Sequence, residues 1–169
     1  MSPTLVEQYR RWFDYEKDCH RKVLGALETV PANNRGSEPF QKAMRLMGHI
    51  IAARRMWLFR FGVATTRPDE LFPSDMTRER LLAELEIMEK GWSGYLERLD
   101  EKELSRVFDY RSIDGGWFRN AVVDILTQLY GHSLYHRGQI ASLIRATGGQ
   151  PVETDFVFWS REPIVAPAE

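Results

Sequence analysis

Four stretches of this chain, each about twenty-five residues long, repeat apolar side chains at intervals of three and four and end at proline, glycine or a turn. That pattern leaves little choice of fold, because a helix with one apolar face must bury it, and four such helices can bury theirs against one another. The first stretch runs from about Thr4 to Val30, with Leu5, Tyr9, Trp12, Cys19, Val23, Leu27 and Val30 on one side. Thr4 followed by Glu7 makes a capping box, with Ser2 before Pro3 as a competing start. The second begins near Ser37, carries Pro39 in its first turn, and runs to about Val63. The third follows Thr77 and keeps Leu81, Leu85, Met88, Trp92, Tyr95 and Leu99 in one seam. The fourth extends from about Asn120 to Thr147 along Val122, Ile125, Leu129, His132, His136, Ile140 and Leu143, and stops at Gly148-Gly149 with Pro151 beyond.

The connections are of different kinds. Pro31 to Gly36 is a turn. Arg67 to Ser74 holds Pro68 and Pro73, which forbid a continuous helix, and its Leu71 and Phe72 are expected to fold back onto the bundle. Between Leu104 and Phe118 the period shortens around Asp114-Gly115-Gly116, which predicts a short β-hairpin. The tail residues Phe156, Val157, Phe158 and Trp159 should dock on the bundle or on a partner subunit. The expected fold is therefore all-α: a four-helix bundle with a short β-hairpin insertion between the third and fourth helices, forming one domain over residues 1–169.

Composition narrows the functions. A net charge of -1 and scattered basic residues provide no field for nucleic acid or acidic membranes. A single cysteine, Cys19, a start without signal-peptide character, and the lack of any bilayer-length apolar run point to a cytoplasmic protein with no membrane partner. Nucleotide-binding glycine loops and the G-x-S-x-G elbow are missing from the sequence.

The chemistry lies in His132 and His136, one helical turn apart on one face. This spacing alone is common. On a core seam, however, each unpaired imidazole would cost roughly 1–3 kcal/mol, which favours a shared ligand. In an alternating bundle the second and fourth helices run parallel, and His49 and His132 each lie about twelve or thirteen residues past a helix start. His49 then arrives at the level of His132, and three imidazoles can hold one ion with positions left open. His20, at a helix edge, is expected to be half-buried and not a ligand. Glu16 and Arg54 also sit on apolar stripes at similar levels, either as a self-neutralising buried ion pair or with Glu16 as partner or general base beside the metal. Cys19 is either a small core residue or a redox-sensitive neighbour of that site.

Gln128 to Ile140, and above all its ending His136-Arg137-Gly138-Gln139-Ile140, resembles the fourth-helix signature of the DinB family. Gly48-His49 with Trp57 two turns later resembles that family's second-helix motif, and Gly148-Gly149-Gln150-Pro151 with Asp155-Phe156 its close. The resemblance implies a three-histidine site of His49, His132 and His136 for nickel or zinc, and a homodimer. It also implies a metal-dependent enzyme, either a hydrolase or a transferase using a low-molecular-weight thiol on a small-molecule substrate. A non-enzymatic metal-binding or stress-associated module is the alternative. Glu16 or Gln128 is the group expected to orient an attacking water. Gln128 stands where many members carry another histidine, and Arg54 where an acidic residue is common.

Overall fold

The computed structural model describes residues 3–164. Four long helices carry it: α1 (Leu5–Glu28), α2 (Glu38–Arg60), α3 (Arg78–Glu97) and, after a short α4 (Glu101–Ser105) and a hairpin of β1 (Val107–Arg111) and β2 (Trp117–Ala121), α5 (Val122–Ala146). A last turn of helix, α6 (Phe156–Ser160), closes the described chain. The two short helices were not expected from the sequence; at five residues each they are too brief to show a period.

The helix ends follow their local chemistry. Thr4 caps α1: its hydroxyl accepts from the Glu7 amide, and the Glu7 carboxylate accepts from the Thr4 amide, while Ser2, the competing start, lies outside the described residues. Thr77 caps α3 by accepting from Arg80 N–H. Gly148, at a φ of 80°, provides the left-handed residue that ends α5. The hairpin is antiparallel, with Val107 opposite Ala121 and Arg111 opposite Trp117.

The helices do not alternate in direction. Tyr9 meets Val123 and Thr127, Trp12 stacks on Tyr130, and Tyr15 meets Arg137, so α1 and α5 run the same way. Arg55 pairs with Glu84, Trp92 reaches the Arg54 carbonyl and Phe61 stacks on Tyr95, so α2 and α3 also run the same way. Arg10 bonds the Leu96 carbonyl while His20 bonds Glu89, which sets α1 against α3. The order is up, down, down, up, and α2 is antiparallel to α5, not parallel as expected. The loop between α2 and α3 makes this possible. It is roughly 17 residues long and can span about 55 Å when extended, more than the length of α2, so it returns to the far end before α3 begins.

That loop crosses α2 at Gly48. A Cβ there would lie 2.5 Å from Met76 Cε and 2.8 Å from Pro73 Cγ, closer than real side chains approach. Between the helices the core packs around the fully buried Trp92, with Met47, Ile50, Leu81, Met88 and Ile140. The tail docks through Phe156 and Trp159, which pack edge-on against the Tyr15 ring. Among the described residues no helix is long and apolar enough to cross a membrane.

Candidate metal centre

The middle of α2 faces the middle of α5, and three histidines meet there. Each of His49, His132 and His136 offers one ring nitrogen, and these atoms lie within 4.8 Å of one another, a group that can hold a metal ion. His49 Nε2 and His132 Nε2 are 3.0 Å apart. The rings stand at 67°, 89° and 77° to one another, with centroids 4.5–4.9 Å apart. The three residues meet although α2 and α5 are antiparallel, because all three lie near mid-helix, where reversing one helix changes the level little.

Outer hydrogen bonds prepare two of the three rings. His49 Nδ1 donates to the Leu71 carbonyl at 2.7 Å, and His136 Nδ1 donates to Gln139 Oε1 at 2.7 Å. A carbonyl can only accept, so Nδ1 carries the proton in both rings and Nε2 keeps its lone pair. His132 Nδ1 is buried without a partner. Burial, followed by the charges of His136, His49 and Arg54, holds the His132 pKa down at about 4. Burial also lowers that of His49, against its bond to Leu71. Both imidazoles are therefore neutral at neutral pH, the form a metal needs. The donor set of three imidazoles, two with fixed tautomers, fits a borderline divalent ion.

A family model described as the DinB family matches residues 1–163. This chain belongs to the DinB family. It is also 24% identical over 153 residues to Protein DinB of Bacillus subtilis (strain 168), an alignment that covers 85% of this chain and 88% of that one. The two motifs that resembled the family are thus the ones that meet at the three histidines.

The other residues singled out in this DinB-family chain take different places. His132 and His136 were expected on the buried seam of their helix, but Ser133 and Arg137 occupy it and the two histidines are half-buried beside it. Glu16, 1% exposed, forms a buried ion pair with Arg54, and Arg137 Nη1 approaches its other oxygen at 3.9 Å. Two guanidiniums thus share one carboxylate. Gln128 is exposed on α5, one turn before His132. His20 is fully buried rather than half-buried, is bonded to Glu89, and stands outside the metal group. Cys19 is fully buried beside Tyr15 and Arg137, and burial pushes its thiol pKa up, so it stays protonated.

Sequence reasoning missed Leu71 as a backbone partner and Gln139 as a side-chain partner. Gln139 was legible in principle: it lies three residues after His136, on the same helix face. The Leu71 carbonyl was not, because its position depends on the path of the loop.

Proposed function

We propose that this protein is a metal-dependent enzyme in which His49, His132 and His136 bind one divalent ion, nickel or zinc, and that it acts either as a hydrolase or as a transferase of a low-molecular-weight thiol. The reading rests chiefly on one observation: outer hydrogen bonds from Nδ1 of His49 and His136 leave both Nε2 lone pairs free, within a group of three imidazoles whose offered nitrogens lie within 4.8 Å of one another. These three residues would hold the ion, which would supply a lowered pKa to a bound water or thiol and polarisation of an electrophile. The protein's own contribution is orientation. Leu71 and Gln139 hold two rings, Gln128 would orient a water from the solvent side, and Glu16, the other candidate for that role, is paired with Arg54 inside the bundle. We assign the reaction to a cytoplasmic homodimer, whose association would cover the exposed Val157 and Phe158 of the tail.

A non-enzymatic metal-binding module is the second reading. It is favoured by the engagement of Glu16 with Arg54, which ties up the carboxylate that the sequence offers as a general base. Metal analysis of untagged protein comes first, followed by thermal shifts with a panel of small thiols on metal-loaded and metal-free protein. The enzyme reading expects one ion per chain and a thiol-induced shift that needs the ion. One ion without any thiol shift, and without hydrolysis of activated esters or amides, would favour the module. Less than a tenth of an ion per chain after loading would end both.

A further inference from the structure

Two aromatic rings border the three histidines without belonging to the core. Phe72 lies flat on His49, with centroids 4.2 Å apart and planes 11° from parallel, yet it is 71% exposed. Tyr135 meets the His136 ring edge-on at 5.0 Å and is 65% exposed. One exposed aromatic residue needs no explanation. Here two come from different elements, the α2–α3 loop and α5, and each touches a different imidazole of the same group. Phe72 is also held in place, since Leu71 just before it accepts the bond that orients His49. Leu71 in turn lines a groove of about 910 Å³ that runs from the loop to the hairpin and has Met56, Phe59, Ile113 and Trp117 among its walls.

Building on the metal-binding reading above, we propose that Phe72 and Tyr135 are specificity-determining residues, and that the site takes a small ligand with an oxygen- or sulfur-bearing head for the ion and a flat aromatic body. The exposed face of Phe72 and the ring of Tyr135 present π surface beside the ligand imidazoles. An aromatic body gains stacking energy there beyond the area it buries, which a saturated ring of equal size does not.

The test uses full-length protein loaded with cobalt(II) and three probes with one chelating head: acetohydroxamate, cyclohexanecarbohydroxamate and benzohydroxamate. Dissociation constants come from calorimetry and from the cobalt d–d spectrum. Benzohydroxamate should bind about ten-fold tighter than the cyclohexane analogue. In Phe72→Ala and Tyr135→Ala, both at exposed positions that spare the core, that preference should fall to about two-fold or less, while acetohydroxamate binding stays within about two-fold of wild type. Equal affinity for the two ring-bearing probes in the wild type overturns the proposal. So does a preference that survives in the double variant. If the double variant instead halves the mass seen by light scattering and leaves probe affinities unchanged, the rings belong to an interface between copies and the proposal is wrong. Failure to take up cobalt at all would remove the three-histidine reading itself, whereas one bound ion with no ring preference removes only the aromatic rim.

Discussion

Along α5 two polar pairs stand one residue apart. His132 and His136 are half-buried at the edge of the helix contact, while Ser133 and Arg137 lie in its centre. The inner pair faces Glu16 and Arg54, and charge there is answered by charge: a carboxylate between two guanidiniums, with Arg54 also set over the rings of Phe13 and Trp92. The outer pair faces His49, and there three imidazoles converge with no carboxylate among them. A rotation of about 100° around one helix thus separates a cluster that sets one carboxylate against two guanidiniums from a cluster of imidazoles that could hold a cation. The lesson is that burial and ligand competence are different properties. On α5 the buried polar pair faces the inner cluster and the half-buried pair faces the ion site, where His49 of α2, as buried as Arg54, joins it.

Substitutions on the two stripes should behave in opposite ways. The largest expected effect is that of Arg54→Ala, which leaves Glu16 in the core with only the longer approach of Arg137. It should cost about 3–5 kcal/mol of stability, equally with and without metal, as read by urea unfolding. A loss that added metal restores would place Arg54 in the outer cluster instead.

Next comes His136→Ala. It leaves two nitrogen donors, so stoichiometric metal should be lost, while metal-free stability changes by no more than about 1 kcal/mol. At an ion concentration one hundred times the dissociation constant the wild type gains roughly 2.7 kcal/mol that the variant does not. Paired thermal melts measure this, and equal metal-induced shifts in both proteins would make His136 a boundary histidine and nothing more.

The smallest effect concerns pH. Folding holds His132 neutral down to about 4, while the unfolded chain takes up that proton near the ordinary value of 6.5. The unfolded state therefore binds more protons between those values, so metal-free stability is full above pH 6.5 and falls as the pH drops toward 4. His49, also lowered by burial, adds to the same slope. His132→Gln should flatten the decline between pH 6.5 and 5, measured by urea midpoints at half-unit steps. An unchanged slope would show that His132 is as well hydrated as an unfolded one.

Much of this was legible in the chain and some was not, for physical reasons. The seam of α3 and the caps at Thr4 and Thr77 depend on local periodicity and local hydrogen bonds, which a sequence carries directly. The hairpin around Gly115 and the stop at Gly148 rest on turn chemistry. Helix direction is not local. The loop from Phe61 to Thr77 contains two prolines and is long enough either to wander or to return the full length of α2; its length was the sign that alternation need not hold. On α5 the seam was placed one residue away from the buried one, because Ser133 and Arg137 do not look like core and the histidines do. Only the partner cluster, with Glu16 opposite, makes an arginine the buried choice. The acceptors on His49 and His136 divide in the same way: Gln139 is local to its helix, and Leu71 waits on the loop.

The separation of His49 from His132, 83 residues in sequence, has a consequence for how the protein is made. On the ribosome α2 and the crossing loop emerge first, so Leu71 can orient the His49 ring while the codons for His132 and His136 are still unread. No tridentate set exists until the last third of the chain has left the exit tunnel and α5 has docked. A bound ion cannot nucleate this fold, as it does in small modules whose ligands lie a few residues apart. It can only be taken up at the end, by a bundle already built. Metal supply would then govern how many finished molecules are loaded, and add stability only to those that have already folded.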